Sequence, residues 1–211
     1  AEKVSAKVSV ANEVGEKENI EEIARSLPPP LQARVLLILA MLSDNDLEHA
    51  LQEATQFQKS YPDLAVARTL QGVTAVNAGQ LKQAISWFEE ALELNEADPL
   101  ATNHLANLYL MMKQHEKASE LYDLALKRFP LHPLLLSGRS VIAILEQDDD
   151  TAKSLLTRWV ERYPRSLTAR LMYSQYLLKR EDAKAALDEL QRPPAIDSDH
   201  PGYLRLIGEI Y

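Results

Sequence analysis

Five histidines, three consecutive aspartates and a methionine pair are the residues of this 211-residue chain whose types could do chemistry. The histidines are His49, His104, His115, His132 and His200. None has another histidine three or four residues on, the spacing that sets two imidazoles on one helix face to share a metal. Their expected role is to cap or flank helix ends. Asp148-Asp149-Asp150 offers oxygens to a hard cation, but the alternating ligands, turn glycine and distant bidentate acid of a calcium loop are missing. At the opening of a helix the same carboxylates complement the positive end of the dipole, and that is the role expected of them. Met111-Met112 could form an adaptable surface; packing is the plainer expectation. No phosphate-cradling glycine loop, HExxH or GxSxG pattern occurs. With no cysteine there is no thiolate catalysis and no cysteine-based zinc site. The expectation is a non-enzymatic chain with no catalytic residues, no cofactor and no metal.

Charge narrows the partners. Thirty-one acidic against 23 basic residues give a net charge of −8, whereas phosphate binding needs clustered Lys and Arg. The basic residues instead alternate with acids, as in Glu116-Lys117 and Glu161-Arg162. Nucleic acid is therefore not expected. No apolar run reaches the ~18 residues of a membrane span, and no signal peptide is visible. The chain opens on Ala1, so an upstream segment is expected to have been removed.

The elements that would position these residues are helical. Six isolated glycines and 46% hydrophobic residues rich in Leu and Ala favour an all-α fold. Within residues 1–17, Val4, Ala6, Val8 and Val10 alternate with polar residues, an extended pattern; Val4, Val8 and Ala11 equally fit a helix face. With no second strand to pair with, a helix or an arm is favoured. Ile20, Ile23, Ala24 and Leu27 then follow i, i+3, i+4, i+7, stopped by Pro28-Pro29-Pro30.

From there the chain repeats itself. Ala50, Ala84, Ala118, Ala152 and Ala186 recur at one fixed interval; Gly72, Ala106, Ser140, Ser174 and Gly208 form a second small column with the same period, and Pro62, Pro130 and Pro164 keep the same register. Pro99–Pro130 shows the pattern best, with Leu105-Ala106-x-x-Tyr109, Ala118-x-x-x-Tyr122-x-x-Ala125 and Pro130. The small columns let two helices approach, with Phe88 and Tyr122 filling the space beside them. Turns are expected near Asn45, Gly79, Lys113, Gln147 and Glu181, of which Gly79 suits a left-handed position and Asn45 tolerates one. Pro193-Pro194 should cut the last second helix short.

This pattern resembles the tetratricopeptide repeat, in both its period and its landmark residues. The resemblance implies a right-handed α-solenoid of antiparallel helix pairs, a tetratricopeptide superhelix. Residues 1–30 would be an N-terminal arm and a degenerate leading repeat helix. Five units would follow over 31–64, 65–98, 99–132, 133–166 and 167–200, with 201–211 the first helix of a truncated sixth. It also implies that the first helix of each pair, helix A, lines a concave groove through the second, fifth, ninth and twelfth residues of each unit. The expected peptide-groove residues are Thr69, Val73, Asn103, His104, Asn107, Ser137, Val141, Leu171 and Gln175. Most of the groove is apolar, with a polar island at Asn103, His104 and Asn107, where an asparagine amide can donate and accept at once. The basic clamp of the chaperone-binding branch is absent.

Three functions follow as expectations. The first is a protein-interaction scaffold that binds a protein or peptide partner, with self-association an option. The second is a structural spacer of a long envelope lipoprotein, since long degenerate arrays of this type resemble bacterial lipoproteins of exopolysaccharide and PEP-CTERM protein sorting. That places the chain in the periplasm or cell envelope, and otherwise in the cytoplasm. The third is a targeting array of a larger enzyme.

Overall fold

The computed structural model describes residues 24–192 and 199–211. The expectations for residues 1–23 and for Pro193-Pro194 lie outside the described residues. Among those described, the fold is all-α, and Cα packing divides the chain into two compact units, Ala1–Phe129 and Pro130–Tyr211.

The first unit contains α1 (Pro29–Ser43), α2 (Leu47–Ser60), α3 (Ala65–Asn77), α4 (Leu81–Leu94), α5 (Pro99–Met111) and α6 (His115–Arg128). The second contains α7 (Pro133–Glu146), α8 (Asp149–Arg162), α9 (Leu167–Lys179), α10 (Ala183–Gln191) and α11 (Pro201–Ile210). In each unit every helix packs on the next in sequence, as short connections require. Odd-numbered helices are the A members and even-numbered ones the B members.

Local chemistry sets the boundaries. Pro29, Pro99, Pro133 and Pro201 open A helices at the first turn, where a missing N–H removes no helical bond. Each A helix before a turn ends the same way. Asn45, Gly79, Lys113, Gln147 and Glu181 all have φ near +60 to +72°, and they are evenly spaced along the chain. Around them the backbone closes a Schellman motif. In the first turn Asp46 N donates to Met41 O at 2.8 Å and Asn45 N to Leu42 O at 3.1 Å; the third repeats this with Gln114 N to Tyr109 O and Lys113 N to Leu110 O. The residue after the left-handed one then becomes the N-cap of the B helix. Asp46, Asp148 and Asp182 do so with their carboxylates. Asp148–Asp150 therefore opens α8 as its cap and first turn, the dipole role expected of it.

The small columns do what their spacing implies. A Cβ added at Gly72 would lie 2.4 Å from Phe88 Cε1, so α3 approaches α4 as closely as glycine permits. Phe88, Ala84 and Ala91 of α4 join Val73 and Ala75 of α3 and Ala101, Leu105 and Leu108 of α5 in one core. Ala118 and Tyr122 are fully buried on α6. The last B helix, α10, has nine residues against fourteen in α2, α4, α6 and α8.

Candidate functional site

The A helices carry the residues that could meet a partner, and the two units present them differently. On α3, Thr69 and Val73 are buried; the Thr69 hydroxyl donates to the Ala65 carbonyl one turn back at 3.1 Å. On α5, Asn103 is 1% exposed, and the Tyr122 hydroxyl of α6 donates to its Oδ1 at 2.7 Å. His104 is also buried, its ring stacked on Phe88 of α4 with centroids 5.1 Å apart and planes 2° from parallel. Burial pushes its pKa down to about 4, because the charged imidazolium would lose its water. Of the polar island, Asn107 alone is half-exposed.

In the second unit, Ser137 and Val141 on α7 and Leu171 and Gln175 on α9 are all half-exposed. Nearby, the Tyr173 and Tyr176 rings stack at 6.4 Å. Thr157 of α8 donates to the Tyr173 hydroxyl at 3.2 Å, and the Tyr176 hydroxyl donates to the Asp149 carbonyl at 3.2 Å. The Arg180 guanidinium lies over Tyr176 and pairs with the Asp149 carboxylate. These contacts fix the outer turns of α9 against α8.

Two residues that the sequence pattern did not attach to this face, Tyr122 and Phe88, turn out to set it. A signal for the first was present. The hydrogen bond from Tyr122 to Asn103 spans 19 residues. The same offset pairs Phe88 with Thr69, Leu156 with Ser137 and Leu190 with Leu171. Only the tyrosine, whose hydroxyl needs an acceptor when buried, comes with a side-chain amide.

Other chemistry is structural. His115 begins α6, and His132 and His200 stand at the N-cap positions of α7 and α11; of these the His200 Nδ1 accepts from Gly202 N at 3.1 Å. His49 bonds Asp46 at 2.8 Å in the first turn of α2, and this pairing raises the histidine pKa and lowers that of the aspartate. On α5, the Tyr109 hydroxyl donates to Glu89 at 2.9 Å, and burial together with that carboxylate pushes its pKa up to about 12. Among the described residues no three His, Asp or Glu side chains gather as a metal site. No helix there is long and apolar enough to cross a membrane.

Two family models described as tetratricopeptide repeat match residues 38–100 and 75–140. The human N-alpha-acetyltransferase 25, the NatB auxiliary subunit, is 27% identical over 101 residues, 48% of this chain and 10% of that protein. The chain thus spans about a tenth of the length of the curated relatives it matches. Among solved structures, TTC0263, a thermophilic TPR protein of Thermus thermophilus, superposes with a TM-score of 0.65 at 15% identity, covering 85% of this chain and 98% of that one. YrrB, described as a TPR protein with an unusual peptide-binding site, gives 0.60 at 20% identity, covering 92% and 97%. At these identities the structures establish a shared α-solenoid fold.

Proposed function

Since the chain belongs to the tetratricopeptide repeat family, we propose that it is a non-enzymatic protein-interaction scaffold that holds a peptide segment of a partner against its helix-A faces. The observation that carries this is the half-exposure of Ser137, Val141, Leu171 and Gln175. These residues recur at the repeat period on α7 and α9, while Ser140, Ala169 and Ser174 on the same helices are buried. A face that is part apolar and part hydroxyl or amide suits an extended segment. Val141 and Leu171 take side chains, and Ser137 and Gln175 bond to backbone groups. In the first unit, Asn107 offers the same kind of amide. Thr69, Val73, Asn103 and His104 are reached only when what covers them gives way. The peptide-binding site named for YrrB is consistent with this use of the fold.

The test uses a random-peptide display library selected on the full chain, with affinities then measured by calorimetry on the enriched peptides. Val141→Asp combined with Leu171→Asp is expected to weaken binding at least tenfold with far-UV helicity unchanged. Enriched peptides that bind the double variant as tightly as the parent chain overturn the reading.

A further inference from the structure

The half-exposed face of the second unit carries no uncommitted charge. On α7 it comprises Ser137, Val141 and Ile144, and on α9 Leu171, Gln175 and Leu178. Within each helix these residues are four and then three apart, which sets them on one side of the axis, and the second set repeats the first at the repeat period. In a chain with 26% charged residues, α7 and α9 hold one arginine and one terminal charge each. Both arginines are buried and engaged. Arg139 lies 3.7 Å from Glu146, the last residue of α7. Arg170 pairs with Glu189 at 3.4 Å and donates to the Leu190 carbonyl at 3.1 Å. Lys179 ends α9, where it complements the negative end of the helix dipole. On α11, which packs on α9, Arg205 and Glu209 pair with each other at 4.0 Å.

A surface of that kind selects by what it refuses. A carboxylate or ammonium laid on it loses water and meets no opposite charge, and that desolvation is costly. An apolar side chain laid on Val141 or Leu171 gains instead in proportion to the area covered. The polar members, Ser137 and Gln175, are neutral and can each donate and accept. They match the N–H and C=O of a peptide backbone better than an ion. Leu171 is also supported from the side. A Cβ added at Gly202, in the first turn of α11, would lie 2.8 Å from Leu171 Cδ1, so the apolar floor continues from α9 onto α11.

We propose that the face of α7 and α9 is selective for an uncharged segment of a partner protein. Such a segment brings apolar side chains to Val141 and Leu171 and has no Asp, Glu, Lys or Arg among the residues it lays on the face. The proposal rests on the reading of helix-A faces as segment-holding surfaces and adds the class of segment held. It also separates this face from the acidic exterior. A net charge of −8 attracts basic partners at long range and is screened by salt, whereas capture on α7 and α9 depends on short-range burial.

The probes are peptides enriched from a random display library on the full chain. They are expected to be depleted in charged residues relative to the starting library. Calorimetry should give affinities that change by less than about threefold between about 50 mM and about 500 mM NaCl. Asp and Asn have nearly the same shape, so each is placed in turn at a central apolar position of the tightest peptide. Asp should weaken binding at least tenfold more than Asn does. Gln175→Lys or Ser137→Lys, at least one of the two, should recover the affinity of the Asp peptide without improving that of the parent peptide, with far-UV helicity unchanged. Equal losses for Asp and Asn overturn the proposal, as do a tenfold fall in affinity with salt, recovery by neither lysine, or enriched peptides that require a charge. Peptides that ignore Val141→Asp combined with Leu171→Asp overturn the segment-holding face itself. Peptides that respond to that pair and still require a charge overturn only the uncharged class.

Discussion

The two units repeat one backbone pattern and close it with different chemistry. In the first, the fully buried contacts between helices are neutral: Phe88 against Gly72, the Tyr122 hydroxyl on Asn103, and the His104 ring on Phe88, while the ion pairs Arg34–Glu53 and Arg68–Glu90 lie partly exposed. In the second, arginines reach the buried layer itself, Arg139 within α7 and Arg170 between α9 and α10. Arg139 approaches Glu146 at 3.7 Å, Arg180 pairs with Asp149, and Arg170 pairs with Glu189 at 3.4 Å. Arg170, with its side chain 3% exposed, also donates to the carbonyls of Glu189, Leu190 and Arg192. It thereby supplies donors to the last turn of α10, the shortest helix among the described residues, where helix-end carbonyls lack intrahelical donors. The repeat period constrains where helices turn and cross. It leaves open whether a crossing is filled by a ring, an amide or a guanidinium.

The sharpest way to break this contrast is Arg170→Ala. It leaves the buried Glu189 with Arg192 at 3.4 Å in place of two partners, and the α10 carbonyls without their guanidinium donor, and urea unfolding should show a loss of about 3–5 kcal/mol. A loss below about 1 kcal/mol would mean that the charged seal is ornamental. Next comes acid. His104 has its pKa held near 4 when folded against 6.5 when unfolded, so between those values the unfolded chain binds the extra proton. The stability linked to this group is intact above pH 6.5 and is lost as pH falls through about 4, by up to about 3 kcal/mol. His104→Phe should flatten that part of the stability-pH curve; an unchanged curve places the acid sensitivity elsewhere.

Two glycines of one column supply the third comparison. Gly72→Ala pushes a methyl into the Phe88 ring and should cost about 1–3 kcal/mol. Gly208→Ala meets no atom within 4 Å and should stabilise α11 by up to about 1 kcal/mol through helix propensity. Thermal melts of equal sign for the pair would show that the column is not a packing column. The smallest effect is expected at the turns. Gln147 and Lys113 hold left-handed backbone that glycine adopts without strain. Gln147→Gly in one unit and Lys113→Gly in the other should each raise stability by about 0.5–1 kcal/mol, read from the shift of the urea midpoint.

Much of the architecture was legible from the sequence because it depends on features that spacing records. The small columns mark where helices cross, and Pro62, Pro130 and Pro164 mark where a B helix has ended. The turn at Gly79 announces its own geometry. Lys113, Gln147 and Glu181 do not, since nothing in their side chains prefers a positive φ; the Schellman hydrogen bonds around them impose it. The face was harder to read. The family pattern gives the register of Asn103 and His104 but not what reaches them. Asn103 is taken up by a hydroxyl of the helix that follows, and His104 by a ring of the helix that precedes it. Contacts of that kind belong to packing between helices, which periodicity along one helix does not encode.

The five left-handed residues have a consequence for how such a chain can change length. Since positions 45, 79, 113, 147 and 181 are evenly spaced, removing or duplicating one whole period from any starting point rejoins the chain with every turn, N-cap and crossing residue in phase. A deletion one residue shorter or longer than that period instead places a new residue at the turn and rotates the following helix by about 100°, turning its buried stripe towards water. The array is therefore quantised in its possible lengths, and variation among its descendants should appear as whole units gained or lost, with single-residue insertions confined to the segments between pairs.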